Sequence, residues 1–586
     1  MNRITYLLLL AIALCACNRD DMIEQDSSRQ LPSISFYNST VSYATSVGVE
    51  LRILPEYTNC ADAWYLWTID GVEAGTDPEF VHTWTEAGKY YVQITVTTYA
   101  GTAQEDVAVE VAEPGIPLIS LPLATDKVTV LTGTEYKLKA DISNSKVEGF
   151  AVRWTIDGAP AGDTDLLCFT PQAAGSYLVE ITASNIEGSS RRSFTIEAVD
   201  RLPIELSFPK PSYFAESTTR YTFAGRAVYL TPIIEGSQPT SLRWSIDGVD
   251  AGCSAETFVF TPTKPGEYTI AVTADESVTA TVTVVCVAAT EDTRYRKATG
   301  GSSPTATAVL EWCPAPGQFI GDTSAGGGMT EGITTLAAAN RWALERMNEG
   351  LFVSLGAFGG YIIVGFDHSI PARQTSYDFS IRGNAYFNAM TGSGGSNEPG
   401  IIYVMQDVNG NGLPDDEWYE LRGSESAAAS TWHDYAVSYY RPAGSAMNVQ
   451  WTDNRSAAGV VPYMASFHRQ PTYYPAWIPA DCYTLRGTRL EARTQQDATT
   501  GMWNSMPYPW GYADNMGSDL LTDDDVYSPD GQVNGFSISR AMQPDGTAIE
   551  LKYIDFIKVQ TGVCASMAIL GELSTEVAGF TDLSLK

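Results

Sequence analysis

The strongest constraint on this chain is a motif that occurs three times. Trp67-Thr68-Ile69-Asp70-Gly71, Trp154-Thr155-Ile156-Asp157-Gly158 and Trp244-Ser245-Ile246-Asp247-Gly248 share one pattern, and Ala-Gly follows each at Ala74-Gly75, Ala161-Gly162 and Ala251-Gly252. Asp-Gly after an alternating run signals a two-residue hairpin turn, because both central residues need positive φ. A Gly with a Tyr two positions later recurs at Gly88/Tyr90, Gly175/Tyr177 and Gly266/Tyr268. The residues that follow alternate: Tyr91, Gln93 and Thr95 face one way, Val92, Ile94 and Val96 the other. The spacing defines a unit of roughly 90 residues, the size of a small two-sheet sandwich built around one inward Trp.

This pattern resembles the PKD (polycystic-kidney-disease) type immunoglobulin-like domain, in which Trp-x-x-Asp-Gly is followed by Pro-Gly-x-Tyr. The third copy carries Pro265-Gly266-Glu267-Tyr268 in full, and the first two place Ala before the Gly. The copies are assigned to 32–113, 117–199 and 203–290, with a linker over 291–308. A motif repeated in every copy answers the packing needs of each and marks no unique site. The three sandwiches are therefore expected to act as spacers, each adding roughly 40 Å if its strands lie along the chain axis.

Charge narrows the partners. The 586 residues hold 36 Lys+Arg against 69 Asp+Glu, a net −33, with no basic stripe. A polyanion is repelled by such a surface, which excludes nucleic acid as a partner, and anionic lipid is not met through a basic face. With 44% hydrophobic and 18% charged residues, 50 Gly and 30 Pro, the chain reads as a globular, multi-domain, all-β protein.

At the amino terminus, Arg3 precedes an apolar run from Tyr6 to Ala16. At about 11 residues it is too short to span a bilayer and suits a signal peptide. Leu14-Cys15-Ala16-Cys17 fits a lipobox, so residues 1–16 are read as a lipoprotein signal peptide and Cys17 as the lipidated residue. The acidic, Ser-containing tether over 17–31 resembles the surface-export signal of lipoproteins from Bacteroidetes-type bacteria, which implies a lipid-anchored, surface-exposed position on the outer membrane. Seven further cysteines, at 60, 168, 253, 286, 313, 482 and 564, show no zinc-like spacing. Cys253 and Cys286 fall in one repeat and are the candidate disulfide.

From 309 to 586 the repeat signature stops. One helix is predicted over 334–348, and short alternating strands at 360–366, 377–381, 400–405, 436–440, 536–538 and 553–560 point to a jelly-roll sandwich. The sharpest motif is Asp407-Val408-Asn409-Gly410-Asn411-Gly412-Leu413-Pro414-Asp415-Asp416-Glu417. Oxygen ligands at loop positions 1, 3 and 5 with Gly at 6 suit calcium. The expected ligands are Asp407, Asn409, Asn411, the carbonyl of Leu413, and Asp415 or Asp416. Trp418 stands where an EF-hand has its bidentate carboxylate, leaving Glu417 or Glu420 to replace it. Between 463 and 512, aromatics crowd loops rich in Pro and Gly. Tyr473, Tyr474, Trp477, Trp503, Tyr508, Trp510 and Tyr512, with Asp514 and Asn515, form the candidate ligand-binding set. Arg469 and Arg486 are candidates for orienting hydrogen bonds. The opposing reading is a large loop packing its own aromatics.

Several motifs then carry a second resemblance: Gly359-Gly360-Tyr361-Ile362, Gly365-Phe366-Asp367-His368, Glu398-Pro399-Gly400-Ile401, the Asp407 loop with Trp418-Tyr419-Glu420-Leu421, Trp510-Gly511-Tyr512-Ala513-Asp514-Asn515 and Asp555-Phe556-Ile557-Lys558. Together they are similar to the large terminal module of PKD-bearing cell-surface lipoproteins of Bacteroidetes. The resemblance implies a galactose-binding-like jelly roll and surface nutrient capture beside outer-membrane uptake genes, including those for corrinoid (vitamin B12). The expected function is capture of a corrinoid or a glycan for a TonB-dependent outer-membrane transporter; the alternatives are an adhesin and a glycan-active enzyme. Catalysis ranks lower: four His, no HExxH helix, no GxSxG elbow and no phosphate-cradling Gly-Lys-Ser/Thr leave only a carboxylate pair, with Asp367 and Glu398 as candidates.

Overall fold

A computed structural model describes residues 30–586 except 37–41, 49, 113–114, 324–327, 330–331, 374–375, 388–394, 465–467, 497, 499–500, 502, 522–531, 568–569 and 586. The segment read as a signal peptide and Cys17 lie outside the described residues. The chain forms two compact units, Met1–Pro114 and Gly115–Lys586.

The first unit holds one sandwich. Its five-stranded sheet runs in the order Ser42–Ser46, Gly101–Ala112, Gly88–Thr98, Trp64–Ile69, Val72–Gly75. The other two copies repeat that order, from Lys127–Leu131 to Ala159–Gly162 and from Arg220–Phe223 to Val249–Asp250. In all three, the edge strand that opens the order is parallel to its neighbour, the last long strand of the copy.

The repeated residues explain the repeated fold. Asp70, Asp157 and Asp247 have φ near 50° and the following Gly near 80°, the two positive angles a tight hairpin requires. Each Asp side chain also accepts the backbone N–H of the neighbouring long strand, from Tyr91, Leu178 and Thr269 at 2.8–2.9 Å. Trp67, Trp154 and Trp244 are fully buried, and their indole N–H groups donate to Asp77, Thr164 and Ala255 carbonyls. The hydroxyls of Tyr90, Tyr177 and Tyr268 donate to carbonyls four residues upstream, all at 2.9 Å, as in the tyrosine corner of immunoglobulin-like sandwiches.

The expected disulfide is absent: Cys253 and Cys286 are free thiols. The ladder gives the reason. Cys286 pairs with Gly266, whereas the Cys253 carbonyl accepts from Trp244, which pairs with Val272. Gly266 to Val272 is roughly 20 Å of strand, well beyond the roughly 6 Å between bridged Cα atoms.

The terminal module is built on a six-stranded sheet ordered Ala308–Cys313, Tyr361–Pro371, Tyr553–Thr561, Gly400–Met405, Tyr419–Leu421, Ala541–Met542. A four-stranded sheet includes Trp432–Tyr440 and Cys482–Arg489, and a three-stranded one centres on Phe379–Gly383. One apolar core runs through them, including Trp312, Ile363, Val404, Tyr439 and Ile557. The predicted helix appears as Leu336–Asn348, capped by Thr335, which accepts from the Ala338 N–H, and stopped at Gly350 with φ of 73°. Its Ala339, Ala343 and Met347 face the core, and Asn340 clamps the backbone of Leu310 and Trp312.

The spacer expectation fails for the second and third sandwiches, because both dock on this module. Asn448 and Gln450 donate to Asp141 and to the Lys139 carbonyl, each at 2.8 Å, and Ser120 accepts the Ala443 N–H. The third sandwich is held by Glu311, a buried carboxylate that accepts from Ser212 Oγ at 2.6 Å, the Phe214 N–H and the Tyr361 hydroxyl. Arg220 pairs with Glu417 at 3.0 Å, and Arg226 reaches Gln406 and Glu291. An extended stalk would leave these polar groups to water, and the folded-back arrangement pairs them instead.

Trp154→Ala is expected to destabilise its sandwich by about 3–5 kcal/mol. Hydrogen exchange across Gly175–Asn185 and Gly188–Val199 measures this, and unchanged protection there would show that the Trp is not the core's anchor.

Candidate functional site

Docking of the third sandwich creates a cleft of about 920 Å³ against the module, within the range of small-molecule sites. One wall is the strand Ile233–Gly236 with Pro232 and Gln238. The floor belongs to the six-stranded sheet, and register dictates it. Tyr403 pairs with Lys558 on one side and Glu420 on the other, so three neighbouring strands present an ammonium, a phenol and a carboxylate in one row. Trp418 precedes Glu420 by two residues and lines the same cleft. His433, Arg455, Arg486 and the loop Gln543–Gly546 form the rim.

Three aromatic rings surround the Lys558 ammonium, with Nζ 4.4 Å from the centre of Tyr403, 4.8 Å from Trp418 and 5.7 Å from Tyr361. Burial lowers its pKa to about 8, against the opposing pull of Glu311 and Glu420. Glu420 Oε2 accepts from Thr488 Oγ1 at 2.5 Å and stands 3.8 Å from His433 Nδ1. This carboxylate is the main reason the His433 pKa is raised. His433 Nε2 donates to the Ser426 carbonyl at 3.0 Å. Trp418 Nε1 is buried with no hydrogen-bond partner among the described residues. The cleft thus offers aromatic faces, one cation, one carboxylate and an imidazole, the complement a polar ligand with a flat face needs.

The aromatic set expected to hold the ligand lies elsewhere. Tyr473, Tyr474, Trp477, Tyr508 and Tyr512 are at most 4% exposed, and none lines the cleft. Their polar tips are used internally: Tyr473 to the His468 carbonyl, Tyr474 to Ala480, Trp477 to Trp312, Tyr508 to Glu491, and Tyr512 accepting the Glu425 N–H. Trp503 is partly buried, and Trp510 is covered by the Arg540 guanidinium 4.4 Å from its ring. Asp514 and Asn515 are fully buried braces: Asp514 accepts the N–H groups of Asn384, Ala385 and Glu576, and Asn515 grips both backbone groups of Tyr508. The module is large enough to bury its loop aromatics as core. Of the residues singled out as ligand-orienting from sequence, Arg486 reaches the cleft, and so do Trp418, Glu420 and Lys558 from the motifs of the second resemblance. A binding role for Lys558, Tyr403 and His433 was not anticipated, although a lone Lys inside Tyr553–Thr561, a strand almost wholly buried, was a visible signal.

The Asp407 loop closes on itself. Asp407 accepts the N–H groups of Gly410, Asn411 and Gly412 at 2.7–3.0 Å. Asn409 and Asn411 donate to Asp415, and the Leu413 N–H returns to Asn411 Oδ1. Asp416 accepts the Val408 N–H, while its Oδ1 is buried with no hydrogen-bond partner among the described residues. Burial, with Asp415 and Asp407 nearby, drives its pKa well above the carboxylate range. The oxygen-only donor set and this orphaned oxygen fit a hard cation. Glu417 and Glu420 do not replace the missing ligand, being engaged by Arg220 and Thr488.

The two acids considered for catalysis have separate surroundings. Asp367 binds His368 Nδ1 at 2.7 Å and the Ser303 N–H. Glu398 accepts the Ser574 N–H beside Asp514 and Glu576.

Residues 32–98 match the family model described as a PKD-like domain. Human Polycystin-1 is 26% identical over 184 residues, 30% of this chain and 4% of that protein. The chain thus spans a small fraction of the relative it matches. Among solved structures, Drosophila OTK extracellular domains 3–5 are 11% identical, covering 43% of this chain and 100% of that one with a TM-score of 0.18. The fibronectin(III)-like modules of Clostridium thermocellum CbhA are also 11% identical, covering 29% and 94% with a TM-score of 0.17. The TM-scores are low, and the fold assignment stands on the strand pairing and the PKD-like match instead. Domains of this kind are typically non-enzymatic and suit a surface-binding extracellular protein. No helix among the described residues is long and apolar enough to cross a membrane.

Lys558 gives a pH signature. Between about pH 8 and its unfolded value near 10.5, it is neutral when folded and charged when unfolded. The unfolded state then binds more protons, so this contribution to stability rises with pH through that window, and below it the full cost of the buried charge is present. Acylation of Lys558 followed by mass spectrometry is expected to show a midpoint near pH 8; a midpoint above 10 would mean the ammonium is solvated.

Proposed function

We propose that this protein is a lipid-anchored, surface-exposed outer-membrane lipoprotein that captures a nutrient, a corrinoid or a glycan, for transfer to a TonB-dependent transporter. Capture takes place in the cleft between the third sandwich and the terminal module. The observation that carries this reading is the Lys558–Tyr403–Glu420 row beneath Trp418, whose indole N–H is buried without an acceptor. A ligand with a flat face and polar edges meets rings, an ammonium and a carboxylate in a space of about 920 Å³. The lipobox at Cys17 and the resemblance of the terminal module support the anchor and the nutrient class.

Titration of the full chain with cyanocobalamin and with a glycan panel tests the proposal. Saturable binding that Trp418→Ala weakens at least about 10-fold is the expected result, because a buried aromatic anchor carries that much affinity. Absence of saturable small-ligand binding would favour adhesion, the second reading, which the PKD-like match supports. Release of product from a glycan would place the protein among glycan-active enzymes.

In the same reading the Asp407 loop holds a structural calcium ion through Asp407, Asn409, Asn411, the Leu413 carbonyl, Asp415 and Asp416, fixing the segment that leads into Trp418. At calcium levels 100-fold above Kd, binding adds about 2.7 kcal/mol. EDTA is therefore expected to lower the melting temperature by about 5–10 °C, and an unchanged melting curve would remove the ion from this account.

A further inference from the structure

Away from the cleft, three carboxylates converge inside the terminal module. Glu398 precedes the strand Gly400–Met405, Asp514 follows the bridge from Ala513 to Gly400, and Glu576 opens the strand Glu576–Val577. Each offers an oxygen lying within 4.8 Å of the other two. Asp514 is fully buried and Glu576 is 5% exposed. The charges acting on them most strongly are one another's and, on Glu398, that of Glu572 as well. Carboxylates taken from water without a counter-charge are costly, so such a cluster calls for a cation or for shared protons.

A second observation points toward the cation, which would take the place of a proton shared between Glu398 and Glu576. Glu576 Oε1 is buried and has no hydrogen-bond partner among the described residues. Its carboxylate is one of the three that converge, so the unused oxygen lies at or beside the space they share. Asp514 is already oriented, with both oxygens taken by backbone N–H donors from Asn384, Ala385 and Glu576, and Glu398 Oε1 is fixed by the Ser574 N–H. These oxygens retain lone pairs, and the orphan on Glu576 completes a three-sided oxygen cage. An all-carboxylate oxygen set suits a hard divalent cation such as calcium.

We propose that Glu398, Asp514 and Glu576 bind one divalent cation of the calcium class, separate from the Asp407 loop. The ion fastens three remote segments, Glu398–Gly400, Ala513–Asp514 and Ser574–Glu576. They already touch through Glu398 N–H to the Asp514 carbonyl at 3.0 Å and Thr575 Oγ1 to the Glu398 carbonyl at 2.7 Å. Its role is structural, closing the carboxy-terminal strand onto the module.

Equilibrium dialysis of the full chain with calcium tests the site by counting. Glu576→Gln is expected to lose one bound equivalent, whereas the double variant Asp407→Asn, Asp416→Asn retains that equivalent. Hydrogen exchange on the unaltered chain guards against a variant that fails to fold. Removing calcium is expected to speed exchange of the Ser574 and Glu576 amides at least 10-fold. A folded Glu576→Gln chain that binds as much calcium as the parent, or amide exchange indifferent to calcium, would overturn the proposal.

Discussion

The cleft exists because one buried carboxylate faces two ways. Glu311 belongs to the first strand of the six-stranded sheet, yet it accepts hydrogen bonds from Ser212 and Phe214 of the third sandwich as well as from Tyr361 beside it. A desolvated carboxylate with several donors is held far more tightly than a surface ion pair. It also supplies negative charge near Lys558, so the group that fixes the wall of the cleft steadies the cation in its floor. Position and electrostatics of the site rest on the same side chain.

The acidic composition acquires a structural meaning here. Asp378, Asp407, Asp514 and Asp555 are buried and accept backbone N–H groups from loop segments, among them Arg373, Gly410, Asn384, Ala385 and Asp407. A long loop carries unsatisfied N–H donors, and a carboxylate answers two or three at once. Part of the excess charge is therefore scaffolding for loops in the terminal module, while the sandwiches keep theirs mostly in water.

What the sequence revealed follows the range of the interactions involved. The Trp, the Asp-Gly turn and the corner Tyr act within a hairpin or its neighbour, so their repetition was readable and the structure uses them as expected. The helix Leu336–Asn348 and the strand Gly400–Met405 were likewise legible, since periodicity is a local property. The cleft was not, because Ile234, Tyr403, Glu420 and Lys558 meet only through register and domain docking. The aromatics from Tyr473 to Tyr512 misled for a physical reason: Pro- and Gly-rich context suggests exposure, but backbone carbonyls accept from Tyr473, Tyr474, Trp477 and Tyr508, and a backbone N–H donates to Tyr512. The cluster of Glu398, Asp514 and Glu576 was equally invisible, as its members come from three distant segments.

The parallel pairing inside each sandwich bears on force. Ser42–Ser46 runs parallel to the end of Gly101–Ala112, Lys127–Leu131 to the end of Gly188–Val199, and Arg220–Phe223 to the end of Val278–Val287. Tension entering at the start of a copy and leaving at its finish pulls these neighbours in opposite directions along their length. Their hydrogen bonds are then loaded in shear and must yield together, whereas a hairpin pulled from its open end gives way one rung at a time. A pull across any one copy is therefore resisted first by these pairs, ahead of the buried Trp core.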